Sequence, residues 1–154
     1  MTITEKKLFL QTQLVPLLRS LKPETTGNWG KMNAHQMVEH LTGAIKLHNG
    51  TLVLPVVNSG ERLEKMRQSL HTEIPFAPNV KNPILQDDPY PVRKATIDAS
   101  IDKLQEELNF FFTTFEQNPQ LITTNPLFGA LNAEENILLL YKHATHHLNQ
   151  FGLL

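Results

Sequence analysis

Cysteine is absent from this chain of 154 residues. That removes disulfides, thiolate metal sites and cysteine nucleophiles together. Long apolar runs are missing too, since no stretch approaches the ~20 residues that span a bilayer. The opening Met-Thr-Ile-Thr-Glu-Lys-Lys lacks the apolar segment and small-residue cleavage site of a signal peptide. Neither sign of charge dominates: 14 Lys and Arg stand against 15 Asp and Glu, a formal net charge of −1. The basic stripe of a nucleic-acid-binding surface is therefore not there. Nucleotide glycine loops, nucleophile elbows and paired-carboxylate signatures are also missing. These absences fit a cytoplasmic protein with no nucleic-acid or membrane partner. Any metal it holds must be bound by imidazole, carboxylate or water.

A hydrophobic fraction of 40% and a charged fraction of 19% are ordinary for a globular protein. The length suits a single domain, residues 1–154, with a core that needs no covalent staples. Two excesses stand out, seven histidines and ten prolines. Six of the prolines (Pro55, Pro75, Pro78, Pro83, Pro89 and Pro91) fall in one central stretch.

Four segments carry the 3.6-residue period of an amphipathic helix. The first runs roughly from Thr4 to Leu21, with Pro16 predicting a kink or a late start. The second, about Ala34 to His48, sets Met37, Leu41, Ala44 and Ile45 on one side. The third repeats Ile97, Ile101, Leu104, Leu108, Phe111 and Phe115. The fourth, about Ala133 to Phe151, repeats Ile137, Leu140, Tyr141, Ala144, Leu148 and Phe151. The second and fourth open on capping-box-like signals, Asn33 with Gln36 and Asn132 with Glu135, and stop at Gly50 and Gly152. Between the second and third lie some forty proline-studded residues, from Gly50 to about Arg93, with one short helix expected at Glu61 to Leu70. A helix of ~16 residues is ~24 Å long. Starting a parallel neighbour needs at least ~8 extended residues to return along it, whereas an antiparallel one needs only a turn. The expected fold is thus all-α, a four-helix bundle with a long crossover between helices two and three.

The chemistry concentrates near the C-terminus. His143 and His147 stand four residues apart, on one face of the fourth helix, and two such imidazoles can grip one ion. With His143 as reference, His147 lies about 40° and Leu140 about 60° around the helix, so the pair borders the apolar stripe. His146 turns away, as a solvent-facing or ligand-supporting residue, while Gln150 shares the face of the pair and can hydrogen-bond a ligand or a bound water. His40, among Met37, Leu41 and Ala44 on the second helix, also leans inward. Its competitors are His35, in an exposed first turn, and His48, two turns further on. Three imidazoles would leave a fourth position open, the layout of a catalytic zinc site, although zinc, nickel, copper and iron all accept such donors. Ala144 stands where a zincin keeps its glutamate, which weakens a peptidase reading. Inward histidines also serve simply as hydrogen-bonded core residues, so a non-catalytic bundle binding a small ligand or a protein partner is the competing interpretation. Glu39 reads as a solvated flank carboxylate, Asp87 and Asp88 as turn formers, and Phe110 to Phe112 with Phe115 as core packing.

The run Trp29-Gly30-Lys31-Met32-Asn33-Ala34-His35-Gln36-Met37-Val38-Glu39-His40-Leu41 resembles the second-helix signature of the DinB/YfiT-like superfamily. Asn125-Pro126-Leu127-Phe128-Gly129, followed by His143-x-x-His146-His147-x-x-Gln150-Phe151-Gly152, resembles the superfamily's terminal helix, and specifically a DinB-like branch ending in His-His-x-x-Gln-Phe-Gly. The resemblance implies a bundle of up-down-down-up connectivity. It also implies a divalent metal, often zinc or nickel, on His40, His143 and His147. Characterised members of that superfamily use low-molecular-weight thiols in isomerase and S-transferase reactions on small-molecule substrates, and hydrolysis is the alternative chemistry. Members often form homodimers, which open bundle faces would permit. The arginine and glycine of the superfamily's His-His-Arg-Gly-Gln run are replaced here by Leu148 and Asn149.

Overall fold

A computed structural model describes residues 1–154. It contains α1 (Ile3–Thr12), α2 (Leu14–Arg19), α3 (Ala34–His48), α4 (Gly60–Ser69), α5 (Ile97–Gln117), β1 (Thr123–Asn125), β2 (Gly129–Leu131) and α6 (Ala133–Gln150). The expected pure all-α four-helix bundle is corrected on this point: the chain has six helices and a two-stranded antiparallel sheet.

Each departure has a local cause. Pro16 has no N–H to return to the Thr12 carbonyl, so the first helical stretch breaks at Gln13 into α1 and α2. The hairpin registers Thr123 with Leu131 and Asn125 with Gly129. Its loop closes because Asn125 Oδ1 accepts from the Leu127 and Phe128 amides, at 2.9 and 3.1 Å, and Gly129 adopts φ +75°. That is an Asx turn followed by a left-handed glycine, the chemistry of a three-residue hairpin loop. Strands of three residues are too short to show a period of two.

The long helices follow their sequence signals closely. Both capping boxes are formed, Asn33 with Gln36 and Asn132 with Glu135. Gly152, at φ +71°, ends α6 with bonds from Leu153 N to Leu148 O and from Gly152 N to Asn149 O, the paired pattern of a Schellman cap. His35 faces Ser100 and Asn49 faces Glu107, so α3 and α5 advance in the same direction. His40 meets His143 and His48 meets Asn136, so α6 runs against α3.

The main core gathers Leu10 and Leu14, Met37, Leu41 and Ile45 of α3, Ile101, Leu104, Leu108 and Phe111 of α5, and Leu140, Ala144 and Leu148 of α6. Each fully buried leucine or isoleucine stabilises by about 1.5–3 kcal/mol. A second, smaller core (Leu70, Phe128, Leu131, Leu138 and Leu139) lies where α4 meets the hairpin and the start of α6. There Arg67 donates to the carbonyls of Phe128 and Ala130 and pairs with Glu135 at 2.7 Å. Lys142 Nζ reaches the carbonyls of Ser69, Thr72 and Ile74, at 3.0, 2.9 and 2.7 Å, and so ties the end of α4 to α6. No helix is long and apolar enough to cross a membrane.

Candidate metal centre

Burying Met37, Leu41 and Ile45 rotates α3 so that His40 sits half-buried at the edge of its apolar stripe. Burying Leu140, Ala144 and Leu148 likewise sets His143, half-buried, and His147, buried, along the edge of the α6 stripe. Because the two helices run in opposite directions side by side, the three rings converge. His143 Nε2 lies 3.1 Å from His40 Nε2 and 2.9 Å from His147 Nε2. One ligating nitrogen from each ring falls within 4.8 Å of the others, so the three histidines lie close enough to share a metal ion.

The protonation pattern favours a cation at their focus. Gln150 donates its amide nitrogen to the Trp29 carbonyl at 2.9 Å, which turns its oxygen toward His147 Nδ1, 2.7 Å away. His147 Nδ1 must therefore donate, and in the neutral ring Nε2 is left bare, facing His143. A proton on His143 Nε2 can be directed at only one of its two neighbours. The remaining lone pairs then face one another, whereas a single cation engages all three. Nitrogens around a tetrahedral ion with bonds of about 2.05 Å stand about 3.3 Å apart, close to the spacings seen here. Burial, reinforced by neighbouring imidazoles, pushes His40 down to about 4, His147 down to about 3 and His143 well below the ordinary imidazole range. All three are neutral near pH 7, the form that ligates.

The other candidates go elsewhere. His35 is buried rather than exposed, bonded through Nε2 to Ser100 Oγ at 2.8 Å. His48 is buried against Asn136 Oδ1 at 2.8 Å. His146 is half-buried; its Nδ1 meets the Phe76 carbonyl at 3.3 Å and its ring leans on Trp29. Glu39, expected in solvent, instead accepts from the Arg93 and Lys94 amides and from Ser100 Oγ. Asp87 and Asp88 pair with Lys31 at 2.9 and 3.0 Å. Phe111 is in the core with Phe112 and Phe115 packed on it, while Phe110 is exposed.

The part of the site that sequence reasoning missed is the loop behind Gln150. A Cβ on Gly27 would come within 2.9 Å of Gln150 Cγ, and one on Gly30, at φ +76°, within 2.8 Å of Gln150 Nε2. Asn28 N also donates to the Gln150 carbonyl at 2.7 Å. The glycines flanking Trp29 were the available signal, since closely spaced glycines mark close approach of a backbone. The chain matches no protein family, no curated protein and no solved structure in comparisons with each.

Proposed function

We propose that this chain is a metal-dependent enzyme of the DinB/YfiT-like kind, in which His40, His143 and His147 hold a divalent cation, zinc or nickel, through Nε2. The observation that carries the proposal is the convergence of the three nitrogens, with His147 oriented by a dedicated amide. The terminal motif described above supports the same reading. A divalent cation held by these three neutral donors would supply Lewis acidity, lowering the pKa of water or of a low-molecular-weight thiol and so favouring hydrolysis or S-transfer on a small substrate. The protein's own residues supply placement. His40 brings one ligand from α3, His143 and His147 bring two from α6, and Gln150 holds the His147 ring in the tautomer that points its lone pair inward. His146 and Trp29 form an adjoining aromatic wall.

Elemental analysis of protein purified without an affinity tag is expected to find about one metal per chain. His143→Ala is expected to reduce this to near zero, with loss of any hydrolytic or thiol-transfer activity. A His143→Ala protein that keeps stoichiometric metal would sink the proposal. Metal-free wild-type protein that fails to take up added zinc would return the histidines to a structural role in a non-catalytic binding bundle.

A further inference from the structure

Beside the three clustered histidines stands a wall made by Trp29 and His146, and its makeup points to the group a substrate presents there. That role in substrate binding rests on the metal reading above. Trp29 is half-buried and belongs to neither hydrophobic core. Its backbone is nonetheless fixed. The Trp29 carbonyl accepts from Gln150 Nε2 at 2.9 Å, and the Asn28 amide donates to the Gln150 carbonyl at 2.7 Å. A tethered loop thus holds the chain's only tryptophan outside the core. The indole meets the His146 ring at 5.6 Å between centroids, tilted by 56°. His146 in turn stands edge-on to His147, at 5.1 Å. Phe76 also packs against His146, at 6.2 Å, and is itself seated on Phe128 at 6.3 Å.

His146 adds a polar handle to this wall. Its Nδ1 faces the Phe76 carbonyl at 3.3 Å, and a carbonyl only accepts, so Nδ1 holds the proton. In the neutral ring Nε2 is then a bare acceptor. Nε2 makes no hydrogen bond within the protein, whereas every fully buried side-chain nitrogen and oxygen is partnered, so Nε2 opens to solvent. A half-exposed indole and a fixed acceptor therefore stand side by side, next to a histidine of the cluster. Aromatic rings favour flat partners, in offset or edge-to-face contact, over saturated ones of the same size. An acceptor held in one tautomer favours a partner that brings an O–H or N–H. We infer that Trp29 and His146 select the substrate: a small molecule with a flat, uncharged ring carrying a hydrogen-bond donor, as in a phenol or an arylamine. The ring lies against the indole, and His146 Nε2 accepts from the donor.

The test uses full-length protein at about pH 8, where ordinary imidazoles and phenols are both uncharged. Metal-free protein and protein given zinc are titrated in parallel, and zinc uptake is measured separately. Three probes divide the two contributions: phenol is flat with a donor, anisole is flat without one, and cyclohexanol carries its donor on a saturated ring. Binding is followed by NMR through the indole N–H signal, which belongs to Trp29 because the chain has one tryptophan. In both forms phenol is expected to bind about threefold or more tighter than anisole and than cyclohexanol. His146→Phe is expected to erase the advantage of phenol over anisole and to keep that over cyclohexanol. His146→Gln, which restores an acceptor, is expected to recover part of what His146→Phe loses. Equal affinity for the three probes in the wild-type protein overturns the inference, as does an indole signal that no probe moves. An unchanged preference for phenol over anisole in His146→Phe removes His146 from it. Protein that takes up zinc but treats the probes alike keeps the metal reading and loses this one. Protein that discriminates among the probes but takes up no zinc keeps the selectivity of the wall and loses the metal reading.

Discussion

At the scale of single residues, the centre depends on which ring nitrogen of His147 carries a proton, and that is decided by Gln150. Its amide is itself oriented by the Trp29 carbonyl and crowded into place by a loop that only glycine allows to come so near. Removing such a supporting group commonly costs about 10–100-fold in metal affinity. Gln150→Ala is therefore expected to weaken zinc binding by that factor, measured by competition with a chromophoric chelator, while the helical circular dichroism stays unchanged. Equal affinity in the variant and the wild type would show that His147 needs no such orientation.

At the scale of elements, local signals were readable and distant contacts were not. Asn33 with Gln36, Asn132 with Glu135, Gly50 and Gly152 bracket α3 and α6 through bonds that span a few residues, so the sequence alone places those helices. His143 and His147 were legible for the same reason, because a spacing of four defines one face. The role of Gln150 was only half legible: its face could be read, but its partner Trp29 lies 121 residues away. The docking of α4 was hidden as well. It depends on Arg67 reaching the hairpin and on Lys142 reaching back to the end of α4, contacts that leave no periodic trace. Glu39 and His35 were misread because the apolar stripe alone does not reveal a buried polar partner such as Ser100. Lys142 is nearly buried and donates to three main-chain carbonyls. Lys142→Met leaves those carbonyls without their donor and is expected to cost roughly 2–3 kcal/mol. Chemical denaturation checks the loss, and limited proteolysis between α4 and α5 checks its location.

At the scale of the whole molecule, buried histidines couple folding to pH. Burial pushes His48 down to about 4, as it does His40, and His147 to about 3. In the unfolded chain these imidazoles titrate near ~6.5. Between the two values the unfolded state binds more protons, so stability falls as pH falls, by about 1.4 kcal/mol per pH unit for each such histidine. The metal-free protein is expected to be most stable above about pH 7 and to weaken steadily from ~6.5 toward ~4, as read from urea midpoints. A flat profile across that window contradicts the burial of neutral imidazoles. Near neutral pH, zinc at about a hundred times its dissociation constant adds roughly 2.7 kcal/mol to the folded state. For a chain of this size that raises the thermal midpoint by about 5–10 °C. The rise is expected to vanish in His143→Ala.

Two of the three clustered histidines, His40 and His143, are 103 positions apart along the chain. A ribosome therefore exposes one of them long before the other two. A nascent chain that has emerged only through α5 carries just one of the three clustered histidines, His40, and a product truncated before α6 never acquires the other two. The three nitrogens can therefore converge only once α6 has followed α3 out of the ribosome and packed against it, so an ion shared by them would report that long-range contact rather than any local one.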